Sequence, residues 1–142
     1  YVHSCLFLSI FSRVSVKLLL TYALREENFM TLRDVITLIQ SISGHPCHKS
    51  YYNLALAVYY SCQLPFHTGL NLERQVYPLI SQEIGLSIKS IARSISRATI
   101  DCWEYGDHKR LEQIIKRKLI EPPSPKELIL YLCTYLTDFP AY

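Results

Sequence analysis

Glycine is scarce in this chain of 142 residues, with four in all. That number is too small for a Gly-rich phosphate loop, a collagen-like repeat or a β protein with many tight hairpins. Charged residues are also few, at 19% of the chain, and the formal net charge is +3. A disordered acidic or basic tail is therefore excluded. Any affinity for nucleic acid must depend on where the positive charges lie.

Paired cysteines and long hydrophobic runs are missing as well. No C-x-x-C pair occurs, and the five cysteines are widely spread, at Cys5, Cys47, Cys62, Cys102 and Cys133. Their odd number and spacing fit neither a disulfide framework nor a zinc knuckle, so we predict a reduced, cytoplasmic protein. The most apolar stretch, Cys5 to Leu24, is interrupted by Arg13 and Lys17, whereas a membrane helix needs about 20 apolar residues. We therefore expect no membrane partner.

Methionine occurs once, at Met30, although the chain begins with Tyr1. The length predicts a single domain with its own core. The residues Arg25-Glu26-Glu27 can be encoded by a purine-rich ribosome-binding sequence, which would suit a translation start at Met30. Two interpretations of residues 1–29 therefore stay open: non-native upstream translation, or an extra N-terminal helix. In both, residues 30–142 form the domain.

Helix-start signals recur along residues 30–142. Thr31 with Asp34 three residues on, Asp107, and Ser124-Pro125 each predict an N-terminus, and another helix is expected from about Lys49 to Cys62. The helix after Asp107 is expected to carry Leu111, Ile114, Ile115 and Leu119. All four glycines lie between periodic segments, where left-handed residues are expected to end helices: Gly44, Gly69, Gly85 and Gly106. Because strand alternation is not sustained anywhere, the predicted fold is an all-α bundle of about six helices.

The stretch from Tyr77 to Gly106 is the most informative. Tyr77-Pro78 predicts the start of a short helix carrying Leu79, Ile80 and Ile84, which ends at Gly85. Ser87 then caps a second helix, reaching about Tyr105, whose predicted buried stripe is Ile88, Ile91, Ile95, Ala98 and Cys102. Two helices joined by about three residues with a glycine predict a helix-turn-helix, and the small Ser81 allows a close crossing.

The outward face of this second helix carries the candidate site. Lys89, Arg93 and Arg97 follow one another at intervals of four and share a face, and no acidic residue lies between Ile84 and Ile100. Serines and Ala92 supply short side chains beside them, and the capped N-terminus suits a phosphate. Three cations also suit a merely solvated face, but the helix-turn-helix spacing favours DNA. The candidate DNA-binding residues are Ser87, Lys89, Ser90, Arg93, Ser96 and Arg97.

Four motifs in order resemble the C-terminal effector domain of the stage-zero sporulation regulator family of endospore-forming Firmicutes. A G-x-P-x-H motif matches Gly44-x-Pro46-x-His48, with the following segment one residue shorter than in the family. The helix-turn-helix start is similar to Val76-Tyr77-Pro78-Leu79-Ile80-Ser81, and the recognition helix aligns without a gap from Lys89 to Trp103 and Gly106. The closing P-[ST]-x-x-E-F-I motif resembles Pro123-Ser124-Pro125-Lys126-Glu127-Leu128-Ile129. The likeness spans about Thr31 to Leu136.

This resemblance implies a six-helix, DNA-binding response-regulator effector domain that reads short TGNCGAA-like boxes in double-stranded DNA, often as a homodimer on tandem sites. It implies a role in transcription regulation during sporulation, at the nucleoid in the cytoplasm. Arg93 occupies a base-contacting arginine position of the family. Three polar readers of the family are replaced, however, by Ser90, Ala92 and Ser96, which weakens direct base readout and puts the box sequence in doubt. The family's receiver domain has no counterpart here.

Other constellations point to no further chemistry. His45, Cys47 and His48, or Cys62 with His67, do not make a convincing metal site. The pairs Tyr51-Tyr52 and Tyr59-Tyr60 are more typical of packing than of base stacking. No catalytic pattern, cofactor site or small-molecule substrate site is indicated, so we expect a non-enzyme. The competing hypothesis is a protein-interaction module that dimerises with, or titrates, a full-length regulator, and the lost readers favour it modestly.

Overall fold

Six α-helices account for most of the chain that the computed structural model describes, which is residues 30–64 and 69–137. Their bounds are α1 Leu32–Ile42, α2 Lys49–Gln63, α3 Tyr77–Ile84, α4 Ile88–Tyr105, α5 His108–Ile115 and α6 Pro125–Thr137. A π-helical turn, Leu72–Val76, leads directly into α3. No strand occurs in these two ranges. The described part of the chain is therefore an all-α bundle of six helices, as the sequence predicts. The alternatives for residues 1–29 lie outside the described residues, as do Cys5 and His67.

The helix starts follow the local capping chemistry of the sequence. Thr31 and Asp34 form a reciprocal capping box, in which the Asp34 N–H donates to Thr31 Oγ1 at 3.2 Å and the Thr31 N–H to Asp34 Oδ2 at 2.9 Å. Asp107 accepts from the N–H of Arg110, and Ser124 accepts from the N–H of Glu127. Each predicted start is confirmed.

Helix α2 lies at the centre of the bundle and packs against α1, α4 and α6. Its small and branched side chains are buried on nearly every side: Leu54, Ala55, Leu56, Ala57 and Val58. The other helices close over it with buried residues such as Ile39, Ile80, Ile95, Ile129 and Leu132. Removing such apolar side chains from water is the main force that holds the helices together.

Only two of the four glycines adopt the left-handed conformation, and of these Gly85 ends a helix. Gly69 has φ 79° and Gly85 has φ 75°. For Gly44 and Gly106 the expectation is wrong, and both allow a close approach instead. A Cβ on Gly44 would lie 2.5 Å from Cβ of Tyr105, and one on Gly106 would overlap the carbonyl oxygen of Ile42. The chain after α1 therefore crosses the end of α4 with no room for side chains.

Several other packing expectations are also wrong. Leu119 lies beyond α5, because Lys116 adopts a left-handed conformation at φ 67° and ends that helix. Leu79 is exposed on α3, and Ile88 is exposed at the start of α4 instead of continuing its buried stripe. Trp103, which the sequence predicts to be largely buried, is half-buried against the core, and its ring centroid lies 4.4 Å from that of His108. These side chains lie at the edge of the bundle, which periodicity alone does not reveal.

Candidate functional site

The turn between α3 and α4 consists of Gly85, Leu86 and Ser87. The Gly85 N–H donates to the carbonyl of Ser81 at 2.9 Å and ends α3 in the left-handed conformation. The Ser81 hydroxyl donates to the carbonyl of Leu86 at 2.7 Å, which bridges the turn. Ser87 then caps α4 by accepting from the N–H of Ser90 at 3.2 Å. Local hydrogen bonds therefore define how α4 starts relative to α3.

The inward side of α4 is held firmly by the bundle. Ile91, Ile95, Ala98 and Cys102 are buried, as the sequence predicts from their spacing. Asn53 of α2 donates from Nδ2 to the hydroxyl of Ser94 at 2.8 Å, which adds a polar contact at the edge of this interface. Helices α2 and α3 both pack against α4. The outward face is thus presented by a rigid, well-supported helix.

The cation row, defined as Lys89, Arg93 and Arg97, is exposed along this outward face. Within residues 30–64 and 69–137 one basic side chain lies within salt-bridge distance of a carboxylate, His45 beside Asp101, so no carboxylate pairs with the row there. Because α4 rises about 1.5 Å per residue, the row extends over about 12 Å. These charges are available to an anionic partner.

The predicted serines contribute differently from one another. Ser87 and Ser90 are exposed, but their hydroxyls bond to each other, with Ser87 donating to Ser90 Oγ at 2.9 Å. Ser96 is half-buried and lies one row over from the cations. All six candidate residues lie between Ser87, the N-cap of α4, and Arg97.

A second row, which we call the apolar row after its Ile88 and Ala92, runs beside the cations, and the place of Ile88 in it was missed from the sequence. It consists of Ile88, Ala92 and Ser96, again at intervals of four. The side chain of Ile88 is 40% exposed, and Ala92 and Ser96 are half-buried. The spacing is visible in the sequence, but Ile88 also fits the buried stripe, and the two assignments cannot be separated by periodicity.

The far end of α4 is tied to the loop between α1 and α2 through Asp101. Its carboxylate accepts from the backbone N–H of His45 at 2.9 Å, from the His45 ring at 2.6 Å, and from the hydroxyl of Tyr51. Partial burial acts to raise the pKa of Asp101, but these hydrogen bonds outweigh it and the pKa lies below its ordinary value. Burial, together with the bond to Asp101, raises the pKa of Tyr51. This network anchors the C-terminal end of α4, whereas the cation row begins near its N-terminal end, at Lys89.

No cluster of three or more His, Cys, Asp or Glu side chains able to hold a metal ion occurs among the described residues. His45 is engaged with Asp101, and the His48 ring lies 3.3 Å from the Ser50 hydroxyl. None of the helices in the described part of the chain combines the length and apolarity that a membrane crossing requires.

No protein-family model matches the chain, and comparison with curated proteins returned no significant match.

Proposed function

We propose that the protein is a DNA-binding transcription regulator in which α4 enters the major groove of double-stranded DNA. The observation that carries the proposal is the exposed cation row, which has no carboxylate partner in the described part of the chain. Phosphates supply most of the affinity in such complexes, and unpaired lysines and arginines are what they bind.

The arrangement of α3 and α4 supports the same proposal. A short helix, a three-residue turn with a left-handed glycine and a longer capped helix support the assignment of a helix-turn-helix unit. The resemblance to the sporulation regulator effector domain covers these elements, and it suggests a sporulation-type regulator acting at the nucleoid, as a homodimer on tandem sites. The proposal assigns no reaction, cofactor or small-molecule substrate to the protein.

Each residue of the row takes a role from its place. The major groove is about 12 Å wide, which matches the span of about 12 Å from Lys89 to Arg97. Lys89 and Arg97, at the two ends, are suited to phosphates on either side of the groove. Arg93, in the middle, is suited to a guanine edge, where a bidentate contact discriminates by about 1–3 kcal/mol. Ser87, Ser90 and Ser96 have short side chains that let the backbone approach.

The first experiment selects preferred duplexes from a random pool and titrates them at two salt concentrations. We expect Arg93→Ala to lose about 1–3 kcal/mol on the selected site and to flatten discrimination at one base pair. Lys89→Ala and Arg97→Ala should weaken binding to selected and scrambled duplexes alike, and each should lower the salt slope by about one. Lys126→Ala, which removes an exposed cation from α6, is the matched control. A wild-type protein without salt-dependent affinity for DNA would refute the proposal.

A second candidate function is a protein-interaction module without specific DNA readout. It is favoured by the exposed apolar side chains around the α3–α4 turn, Leu79, Leu86 and Ile88. Under this alternative the three cation variants leave DNA binding unchanged, whereas Leu79→Ala and Leu86→Ala weaken association between protein chains. Sedimentation of the variants beside the DNA titrations separates the two functions.

A further inference from the structure

The start of α4 exposes an aliphatic side chain next to positive charge. Ile88 is 40% exposed and follows directly after the N-cap, and Lys89 comes next on the outward face. An isoleucine with this much surface in water forgoes part of the gain from burial. Its place in the first turn of α4, beside the cation row, leaves this exposed surface open to the partner that the cation row binds.

Polar readout is nearly absent along the apolar row. Ala92 has no hydrogen-bonding side chain, and Ser96, at the far end of the row, is half-buried. The hydroxyls of Ser87 and Ser90, on the other side of Ile88, are bonded to each other and to the helix start. Arg93 of the cation row is therefore the only long hydrogen-bond donor in the middle of this surface. The apolar row beside it offers the methyl groups of Ile88 and Ala92 and the short side chain of Ser96.

The major-groove edge of a base pair carries one apolar group, the C5 methyl of thymine. Hydrogen-bonding patterns distinguish the other edges, and an isoleucine cannot read them. Because Ala92, one turn after Ile88, has only a methyl side chain, no bulky group there blocks the approach of a base edge. An apolar row beside positive charge is thus suited to methyl groups in the groove of a duplex that the charge attracts.

We propose that Ile88 is a specificity-determining residue that reads the C5 methyl of a thymine in the major groove. The proposal rests on the proposed DNA-binding function. Ile88 lies five residues before Arg93, about 7.5 Å along the helix axis, which corresponds to about two base-pair steps of 3.4 Å. The thymine is thus expected within about two base pairs of the pair whose discrimination depends on Arg93.

The test removes the methyl group alone. In the selected duplex, each thymine is replaced in turn by deoxyuridine, and binding is titrated for the wild type. We expect one replacement, close to the Arg93-dependent pair, to weaken binding about fourfold, which corresponds to the loss of one buried methyl group. The other replacements should have little effect.

The matching protein variant is Ile88→Ala. It should bind the thymine duplex about fourfold more weakly than the wild type does, and it should no longer distinguish thymine from deoxyuridine at that position. Ile88→Val, which keeps branched methyl groups, should retain the distinction. Ile100→Ala is the control, because Ile100 is 53% exposed on the same helix but lies three turns further on. Thermal unfolding verifies that the variants are folded.

The failures are distinguishable. If the wild type binds duplexes with a salt slope but no deoxyuridine position matters, or if Ile88→Ala still senses the methyl group, DNA binding stands and the role of Ile88 is refuted. If the wild type has no affinity for DNA, both proposals fall. If Ile88→Ala weakens only association between protein chains, the interaction-module function gains support and the thymine contact is refuted.

Discussion

Asp101 connects two segments that lie far apart in the sequence. Two of its three donors belong to His45, 56 residues earlier in the chain, and the third is the hydroxyl of Tyr51, 50 residues earlier. Bonds to a charged acceptor are about twice as strong as neutral ones. This carboxylate therefore contributes to the stability of the fold and not to the outward face of α4.

Replacing the carboxylate tests that contribution. We expect Asp101→Asn to lower the free energy of unfolding at neutral pH by about 1–2 kcal/mol, because it keeps the shape but loses the charge. The pKa of Asp101 is lowered in the folded protein. Its stabilising effect is therefore complete above the ordinary carboxyl pKa of about 4 and is lost as the pH falls below that value.

Urea unfolding of the wild type and Asp101→Asn across this pH range measures the effect. The two stabilities should converge as the solution becomes more acidic than about pH 4. Glu104→Gln, at an exposed position on the same helix, is the control and should show no such convergence. A difference that stays constant down to strongly acidic pH would contradict this role.

At the scale of helices and turns, glycine serves two distinct purposes. Gly85 provides a positive φ in open space, whereas Gly106 provides room for the carbonyl of Ile42 at a normal backbone conformation. The two requirements differ in cost. A left-handed alanine costs roughly 1–2 kcal/mol, but an overlap with backbone atoms forces two helices apart.

Alanine substitutions should therefore rank in a definite order. We expect Gly85→Ala to destabilise by about 1 kcal/mol and Gly106→Ala by more than about 3 kcal/mol, as for severe overpacking. Gly69→Ala, with φ 79° and no atom of the described residues within 4 Å of the added Cβ, is the control for strain alone and should resemble Gly85→Ala. Chemical denaturation measures all three. Equal losses at Gly85 and Gly106 would show that the close crossing is absent in solution.

The sequence predicts those helix features whose causes are local. Thr31, Ser87 and Asp107 cap their own helices within three residues, so each predicted start is confirmed. The functions of Gly44 and Gly106 could not be predicted, because they depend on atoms of another helix. The end of α5 could not be predicted either, because Lys116 adopts a left-handed conformation that glycine usually takes and that the sequence does not signal.

The same distinction holds for the candidate site. The exposure of Lys89, Arg93 and Arg97 follows from spacing opposite a buried stripe, and this prediction is confirmed. The exposure of Ile88 depends on where the bundle ends beneath the first turn of α4. The Asp101 network depends on pairing across the fold, and spacing carries no signal for it. DNA binding itself stays a prediction.

At the scale of the whole molecule, the described helices share one core around α2. Buried residues of α1, α4 and α6 all contact it. A polypeptide of residues 30–142 should therefore unfold in a single cooperative thermal transition, close to that of the full chain. Circular dichroism of the two polypeptides measures this. A broad, non-cooperative transition in the shorter one would show that residues 1–29 complete the core.

Helix α4 uses one set of residues to pack against the bundle and another to form the cation row. Ile91, Ile95, Ala98 and Cys102 fasten it to the bundle, while Lys89, Arg93 and Arg97 face outward. Substitutions at exposed positions usually change the free energy of unfolding by less than about 0.5 kcal/mol. The outward residues can therefore be replaced by mutation while the helix bundle stays folded. In an evolving lineage, the outward side chains of such a helix are free to change much faster than its fold.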